Sequence, residues 1–132
     1  MIDNLNFETL AALPDDGPVT MLNLMRFHAY SLDGNGSGWD AYLRYSSFTI
    51  KLIKAQGGTI VWTGNAEAVA LGVPEHHRWD YAALVRYPSR VAFLAMMSSA
   101  EYAVANVERT NGCADHIIIA LRETYGKFAS PP

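Results

Sequence analysis

Apolar residues recur along the chain in short blocks, separated by clusters of glycine, proline and small polar residues. The block from Val19 to Phe27 is short, mostly apolar and bounded by breakers, which predicts a strand buried on both faces. Between Trp39 and Gln56 the apolar residues recur at helical spacing, and Gly57 and Gly58 follow as a C-terminal stop. The chain is therefore expected to contain a buried first strand and a long amphipathic helix.

The later blocks predict three more strands and two shorter helices. The predicted strands lie within the β-rich stretch 59–71, with a bulge or tight turn at Gly64 and Asn65, and in 79–87 and 116–123. Ser89 is the expected cap of a short helix, and Ser98 with Glu101 is the expected capping box of a second helical segment that runs to Asn111. A further short helix is expected over 3–13, with Asp3 or Asn4 as its cap.

The order of the main elements is β-α-β-β-α-β, which predicts an α+β, ferredoxin-like domain with an antiparallel sheet and both helices on one face. Apolar residues occupy both alternating sets of the first strand: Met21 and Met25 on one side, Leu22 and Leu24 on the other. The sheet face away from the helices must therefore be covered as well. A partner's sheet is the simplest cover, which predicts a homodimer with two-fold symmetry.

The chain of 132 residues is expected to form one domain, with a core over about 19–122, an N-terminal helix within 1–14 and a tail at 125–132 that docks on a neighbour or is disordered. The glycine-rich segment 31–38 is expected to be a mobile loop, either a lid or a plain surface connection.

Composition excludes several classes of protein. A single cysteine, Cys113, rules out an internal disulfide framework and a cysteine-cluster zinc site. A net charge of −3, from 10 basic and 13 acidic residues, argues against a nucleic-acid surface. No apolar run approaches the length that spans a bilayer, and no export signal opens the chain, so a cytoplasmic protein is expected.

Polar residues inside apolar blocks are the candidates for chemistry. Asn23 lies in the middle of the first strand, where its amide needs a partner, such as backbone, Tyr45 or a ligand. Tyr42 and Tyr45 share the core-facing stripe of the long helix, and Tyr45 could direct its hydroxyl into a cavity between helix and sheet.

Tyr102 and Arg109 share one face of the last helix, with Ala105 and Asn106 between them. A guanidinium at the rim of a cleft suits a carboxylate or enolate ligand, and the alternative is a salt bridge with Asp80 or Glu108.

Arg26 and His28 follow one another on one side at the end of the first strand. His28 is a candidate base, although a surface position is the alternative. Asp80 is a second candidate, since its neighbour Trp79 could desolvate it, and a structural partnership with Arg26 or Arg109 is equally compatible with the sequence.

The remaining histidines and the cysteine give weaker indications. His76 and His77 are adjacent and lack a third ligand at a supporting spacing, so no metal is expected. His116 could face the barrel, where haem ligation is conceivable, and Cys113 has no evident partner. No nucleotide-binding or hydrolase motif is present, and no cofactor is expected.

Several short motifs together resemble a known family. They are Asn23-Leu24 with Arg26-Phe27, Tyr42 and Tyr45, Gly57-Gly58 leading to Trp62 and Gly64, Trp79-Asp80, Tyr87-Pro88-Ser89 with Phe93, and Tyr102 with Arg109. In this order and spacing, over about Val19 to Leu121, the chain resembles the domain-of-unknown-function family numbered 1330. The resemblance implies the dimeric α/β-barrel superfamily, in which two ferredoxin-like subunits pack their sheets into a barrel. That superfamily includes cofactor-independent monooxygenases, muconolactone-type isomerases, dehalogenase-like enzymes and haem-using members.

The leading functional hypothesis is a small enzyme that acts without metal or nucleotide on a small carbonyl or acidic molecule, in the manner of a monooxygenase or isomerase. Asn23, Tyr45 and Arg109 would position this substrate, with Arg26, Tyr42 and Tyr102 as further contacts, and His28 or Asp80 would move a proton. The alternatives are a non-catalytic or stress-related module that binds a small molecule and a purely structural role for these side chains.

Overall fold

The computed structural model describes residues 4–127, which form a four-stranded antiparallel sheet with helices packed on one face. The elements in chain order are α1 (Phe7–Ala11), β1 (Val19–Phe27), α2 (Gly38–Ala55), β2 (Thr59–Asn65), α3 (Pro74–His77), β3 (Tyr81–Tyr87), α4 (Arg90–Met97), α5 (Ala100–Gly112) and β4 (Cys113–Leu121). The strand order is β2-β3-β1-β4, and the pairs β1/β3, β1/β4 and β2/β3 are all antiparallel. This arrangement confirms the predicted ferredoxin-like order.

The core lies between the sheet and the helices α2, α4 and α5. Odd-numbered residues of β1 and β3 face it, and Met21 and Met25 are among its most deeply buried side chains. Tyr45 of α2 and Tyr102 of α5 pack into this core from the helix side. None of the helices within residues 4–127 has the length and apolar character needed to span a bilayer.

The opposite face of the sheet carries a row of apolar side chains that no described helix covers. Leu22 and Leu24 of β1 lie beside Ile119 and Ile117 of β4, and Leu84 of β3 lies beside Leu22. Both isoleucines are exposed, as are Leu121 and Trp62. We call this surface the open sheet face.

The N-termini of α2 and α5 carry side-chain caps. Ser37 and Asp40 form a capping box on α2, which fixes the end of the glycine-rich segment. On α5 the cap is Ser99, whose hydroxyl accepts from the Tyr102 N–H, and not Ser98 as the spacing to Glu101 indicated. The expected capping box at Ser98 is thus wrong by one residue.

α2 and α5 meet at two glycines. A Cβ on Gly38 would lie 2.0 Å from the carbonyl oxygen of His28 and 2.7 Å from that of Gly112, so only glycine fits there. The backbone of His28 joins the two helices, since its N–H donates to Gly112 and its carbonyl accepts from Gly38. Gly112 therefore serves a close approach, and the chain passes directly from α5 into β4 at Cys113.

The N-terminal part contains one short helix over Phe7–Ala11, shorter than the predicted 3–13. Asp3, one of the two expected caps, lies outside the described residues. The same holds for the end of the predicted tail beyond residue 127.

Candidate functional site

Four polar side chains form a hydrogen-bonded chain between α5 and the sheet. Arg109 donates from Nε to Asn106 Oδ1 at 2.6 Å, and its Nη1 lies 3.2 Å from His116 Nδ1. His116 Nε2 lies 2.9 Å from Asn23 Oδ1, and Asn23 Nδ2 donates to the carbonyl of Met21 at 3.3 Å. Of the partners expected for Asn23, a backbone carbonyl is found and Tyr45 is not, and His116 is a partner that the sequence did not indicate.

The partners of His116 determine which of its ring nitrogens carries the proton, and its burial determines its charge. A guanidinium can only donate and an amide oxygen can only accept, so Nδ1 accepts from Arg109 and Nε2–H donates to Asn23. Burial, assisted by the Arg109 charge, lowers the pKa of His116 to about 3. His116 is thus neutral near pH 7, with its proton on Nε2.

Arg109 retains unused hydrogen-bonding capacity. Its contacts to Asn106 and His116 engage two of the roughly five N–H groups of a guanidinium. Within residues 4–127 no carboxylate lies in salt-bridge range of Arg109, since Glu108 pairs with Arg44 instead. The predicted alternatives, salt bridges of Arg109 with Asp80 or Glu108, are both absent from the described part of the chain. Arg109 is therefore free to pair with an anion from outside.

A large cavity opens beside this arginine. Its volume is about 660 Å³, and it lies between α5, β4 and the N-terminal segment. Arg109, Tyr102, Cys113 and His116 line one side, and Leu5 and Thr9 of the N-terminal segment also line it. Apolar walls are contributed by Met21, Phe93, Met97 and Ile118. The space is large enough for a small metabolite with a partly apolar body.

A second cavity lies between α2 and the sheet, where a site lined by Asn23, Tyr45 and Arg109 was expected. Asn23 and Tyr45 do line it, but its volume is only about 70 Å³ and Arg109 lies on the other cavity. This space is about a tenth of the larger cavity, which suits water rather than a metabolite. His116 and Ile118 line both cavities, so they form part of the wall between them.

Two tyrosine hydroxyls form a second polar link across this wall. The hydroxyls of Tyr45 and Tyr102 lie 2.8 Å apart, with Tyr45 on the smaller cavity and Tyr102 on the larger one. Burial raises the pKa of both phenols, so both remain protonated near neutral pH. Each can donate a hydrogen bond, and neither is a base.

Tyr42 belongs to an aromatic cluster at the end of α2. Its ring packs against Phe27, Trp39 and Tyr81, with centroid separations of 5.1 to 5.7 Å. It also lines the smaller cavity, and burial strongly raises its pKa. Its packing in this cluster gives it a structural role in α2.

Arg26 and Asp80, two of the predicted site residues, lie away from both cavities. Arg26 binds Asp115 at 2.6 Å and its guanidinium lies 5.0 Å from the Trp79 ring centre. Asp80 is exposed, and its carboxylate accepts from the Phe27 N–H at 2.9 Å. The expected desolvation of Asp80 by Trp79 is therefore not found, because Trp79 stacks on Arg26.

His28, the predicted base, contributes its backbone to the contact between α2 and α5 and lines neither cavity. The histidine at the centre of the polar chain is His116, for which the sequence suggests only possible haem ligation. Its position two residues before Ile118 in an alternating strand places it on the core face, and that spacing is the signal that could have identified it.

His76 and His77 lie in α3, where His77 Nδ1 accepts from the Val73 N–H. Across residues 4–127 no three His, Cys, Asp or Glu side chains come together in a way that could hold a metal ion. Cys113, which has no evident partner in the sequence, lines the larger cavity, and burial raises its pKa to about 11.

The glycine-rich segment 31–38 is held to both long helices, which does not match the expected mobile loop. Asp33 accepts from Ser31, from the Asn35 N–H and from Asn111 of α5. Arg44 of α2 donates to the Asn35 carbonyl at 3.1 Å. This segment lines neither cavity, so no lid function follows from its position.

Comparison with solved structures gives clear similarity to one protein. The crystal structure of methylated RPA0582 protein is 30% identical, with a TM-score of 0.83, and the match covers 95% of this chain and 96% of that one. The chain belongs to the same family as RPA0582. A second structure of RPA0582, from Rhodopseudomonas palustris, is described as a protein of unknown function and matches at 29% identity, with a TM-score of 0.84, over 95% of this chain and 98% of that one.

More distant structures share only the fold of this family. A dimeric ferredoxin-like protein of unknown function from Thermobifida fusca is 14% identical, with a TM-score of 0.52, over 83% of this chain and 94% of that one. A putative antibiotic biosynthesis monooxygenase from Caulobacter crescentus is 11% identical, with a TM-score of 0.52, over 83% of this chain and 92% of that one. No family model matches the chain. No curated protein matches it.

Proposed function

We propose that the larger cavity binds a small, partly apolar carboxylate or enolate and that Arg109 pairs with its charge. The observation that carries this proposal is a guanidinium with unused N–H groups and no carboxylate partner among residues 4–127, on the wall of a 660 Å³ cavity. An unpaired cation on the wall of a partly apolar cavity favours an anion over a neutral molecule of the same shape. Met97 and Phe93 offer contacts to an apolar body.

The same site supports proton chemistry on a bound carbonyl compound, without metal or nucleotide. Tyr102 lines the cavity with a protonated hydroxyl and can donate to a carbonyl oxygen, while Tyr45 holds that hydroxyl in place. An anion that draws the Arg109 guanidinium away from His116 would free Nδ1, the ring nitrogen without a proton, and would offset the charge that helps to lower the His116 pKa. Nδ1 could then accept the proton that the bound compound loses. In this proposal His116 takes the role expected of His28 or Asp80.

A binding protein without turnover is the second candidate. The observation that favours it is the His116 pKa of about 3, since a general base works best with a pKa near the working pH. A receptor needs only the charge on Arg109 and the shape of the cavity.

We also propose membership of family 1330, on the motifs between Val19 and Leu121 that resemble it. A homodimer through the open sheet face is part of the same proposal. Its support is the row of exposed apolar residues on that face, together with the dimeric description of the T. fusca protein.

Titration calorimetry with phenyl-substituted carboxylates, each paired with its neutral amide, tests the binding proposal. The wild type should bind at least one carboxylate, such as phenylacetate, about tenfold or more tightly than its amide, and Arg109→Gln should remove this preference. Glutamine retains an N–H donor for His116, so the fold should remain intact. Arg78→Gln, which removes an exposed cation elsewhere, is the matched control.

If no carboxylate binds better than its amide, the binding proposal is wrong.

A second experiment distinguishes an enzyme from a receptor. It is mass spectrometry of a metabolite mixture incubated with the protein. Loss of one compound with gain of another indicates turnover, whereas unchanged compounds that co-purify with the protein indicate a receptor.

A further inference from the structure

Residues 4–14 cross the mouth of the larger cavity, and we call this segment the strap. Leu5, Thr9 and Leu10 line the cavity, whose other wall carries Arg109 and His116. Leu5 and Leu10 also pack against the core. The strap therefore closes a side of the cavity that β4 and α5 leave open.

The strap is held firmly at its C-terminal end. Arg90 at the start of α4 is buried, and its guanidinium donates to the carbonyls of Leu10, Leu13 and Pro14 at 2.8 to 3.1 Å. Asp16, just beyond the strap, accepts from the Arg90 N–H at 2.7 Å. Releasing this end would leave a buried charge without its partners, which is costly.

The other end of the strap has much weaker attachments. The hydrogen bonds of α1 run within the strap itself, such as Leu10 N–H to Asn6 and Ala12 N–H to Glu8. α1 has five residues, none of them buried, and a helix of that length is not stable alone in water. Partly buried leucines are the main hold on this end.

Open space lies on two sides of α1. The larger cavity lies on one side, and on the other an apolar groove of about 530 Å³ separates Phe7 and Leu13 from Val91 and Leu94 of α4. A helix between two open spaces lacks the dense packing that fixes helices in a core. Segments with few buried contacts open locally at a low free energy.

We propose that the strap is the gate of the larger cavity: its residues 4–9 swing away about the end clamped by Arg90 to admit a ligand, and return to cover it. This inference rests on the proposed function, because it takes the larger cavity to be the binding site. It assigns Arg90 as the anchor of the gate and Leu5 as its latch.

Cys113 provides a reporter of the open state that requires no ligand. It is the only cysteine in the chain and it lines the cavity beneath the strap. Its rate of alkylation by N-ethylmaleimide, compared at one pH in proteins that all retain Arg109, should therefore follow strap opening. Leu5→Ala, which weakens the latch, should raise this rate about threefold or more at fixed pH.

Arg90→Lys keeps the charge but loses the planar fork that holds the carbonyls, and should raise the rate as well. Val85→Ala is the matched control, since it weakens the core away from the strap. It should lower the midpoint of urea unfolding and leave the alkylation rate in native buffer unchanged. Hydrogen exchange of the strap amides should increase in Leu5→Ala and not in Val85→Ala.

The gate proposal is overturned if Leu5→Ala and Arg90→Lys are alkylated at the wild-type rate, or if Val85→Ala accelerates alkylation equally. These results do not depend on anion binding, so they are separate from a failure of the binding proposal, which calorimetry detects. In the wild type, saturating phenylacetate should slow alkylation of Cys113 if it occupies the cavity beneath a closed strap. Calorimetric binding without any such protection would place phenylacetate outside this cavity and so overturn the binding proposal on which the gate rests.

Discussion

His116, in the polar chain beneath α5, makes the stability of the fold depend on pH. Its pKa is lowered from 6.5 to about 3 in the fold, so below pH 6.5 the unfolded chain binds a proton that the folded chain does not. The contribution of neutral His116 to stability is therefore complete above pH 6.5 and is lost as the pH falls toward 3, at up to about 1.4 kcal/mol per pH unit. His116→Gln, which can still donate to Asn23 and accept from Arg109, should flatten the fall in unfolding free energy between pH 6.5 and 4.

Urea denaturation of wild type and variant at several pH values measures this difference. Acidic groups with lowered pKa values, such as Asp33 and Glu108, also destabilise the fold as the pH falls. They do so equally in the wild type and in His116→Gln, so the difference between the two pH slopes reports the contribution of His116 alone. Equal slopes would show that His116 is not held neutral by its surroundings.

The hydroxyl pair of Tyr45 and Tyr102 gives a test by double-mutant cycle. Tyr45→Phe leaves the buried Tyr102 hydroxyl without its partner at 2.8 Å, and Tyr102→Phe does the reverse. Each single variant should lose about 1 to 2 kcal/mol of unfolding free energy, whereas the double variant should lose clearly less than the sum. Strict additivity in chemical denaturation would mean that the two hydroxyls do not depend on each other.

At the scale of residues, the sequence indicates which polar side chains are buried but not which of them meet. Asn23 stands out because it interrupts an apolar strand, and Tyr45, Tyr102 and Arg109 stand out because of the helix faces they share; all four lie on a cavity. Their partners come from distant positions: the hydrogen bond between Asn23 and His116 spans 93 residues and depends on the register of β1 against β4. That register is a tertiary property, which local spacing does not contain.

At the scale of elements, the cap of α5 is the sharpest difference from the prediction. Ser99→Ala removes the oxygen that accepts from the Tyr102 N–H and should cost about 1 kcal/mol of unfolding free energy. Ser98 is exposed and is the C-cap residue of α4 through its backbone N–H, which alanine retains, so Ser98→Ala should change this free energy by less than about 0.5 kcal/mol. Thermal unfolding of the two variants compares them directly, and the reverse order would place the cap at Ser98.

Elements with a strong period are predicted well, and their ends are predicted less well. β1 matches its predicted bounds, since breakers flank it on both sides, and α2 agrees to within one residue at each end. α5 ends at Gly112, one residue beyond the predicted Asn111, and β4 begins at once with Cys113. Gly112 also permits the close contact with Gly38, which the sequence did not indicate. The position of the strap over the cavity also cannot be predicted from the sequence. Arg90 holds the strap through backbone carbonyls, which every residue has, so no particular side chain marks the contact.

At the scale of the whole molecule, the alternation of apolar residues carries the most information. It predicts the ferredoxin-like order, which the strand pairing confirms. It also indicates that the chain has more apolar surface than one sheet face and its helices cover. Leu22, Ile117, Ile119 and Trp62 on the open sheet face account for that excess.

The dimer proposed for this face makes a prediction about mass. The wild type should sediment at micromolar concentration as a species of twice 14.5 kDa. Ile119 is 44% exposed in the middle of β4, and Ile119→Lys would place a charge where a partner's sheet packs, so this variant should sediment as the single chain. Val107, which is 60% exposed on α5, gives the matched control: Val107→Lys adds the same charge away from the open sheet face and should leave the dimer intact. A wild type of 14.5 kDa, or a dimer that survives Ile119→Lys and dissociates with Val107→Lys, would show that this face is not the interface.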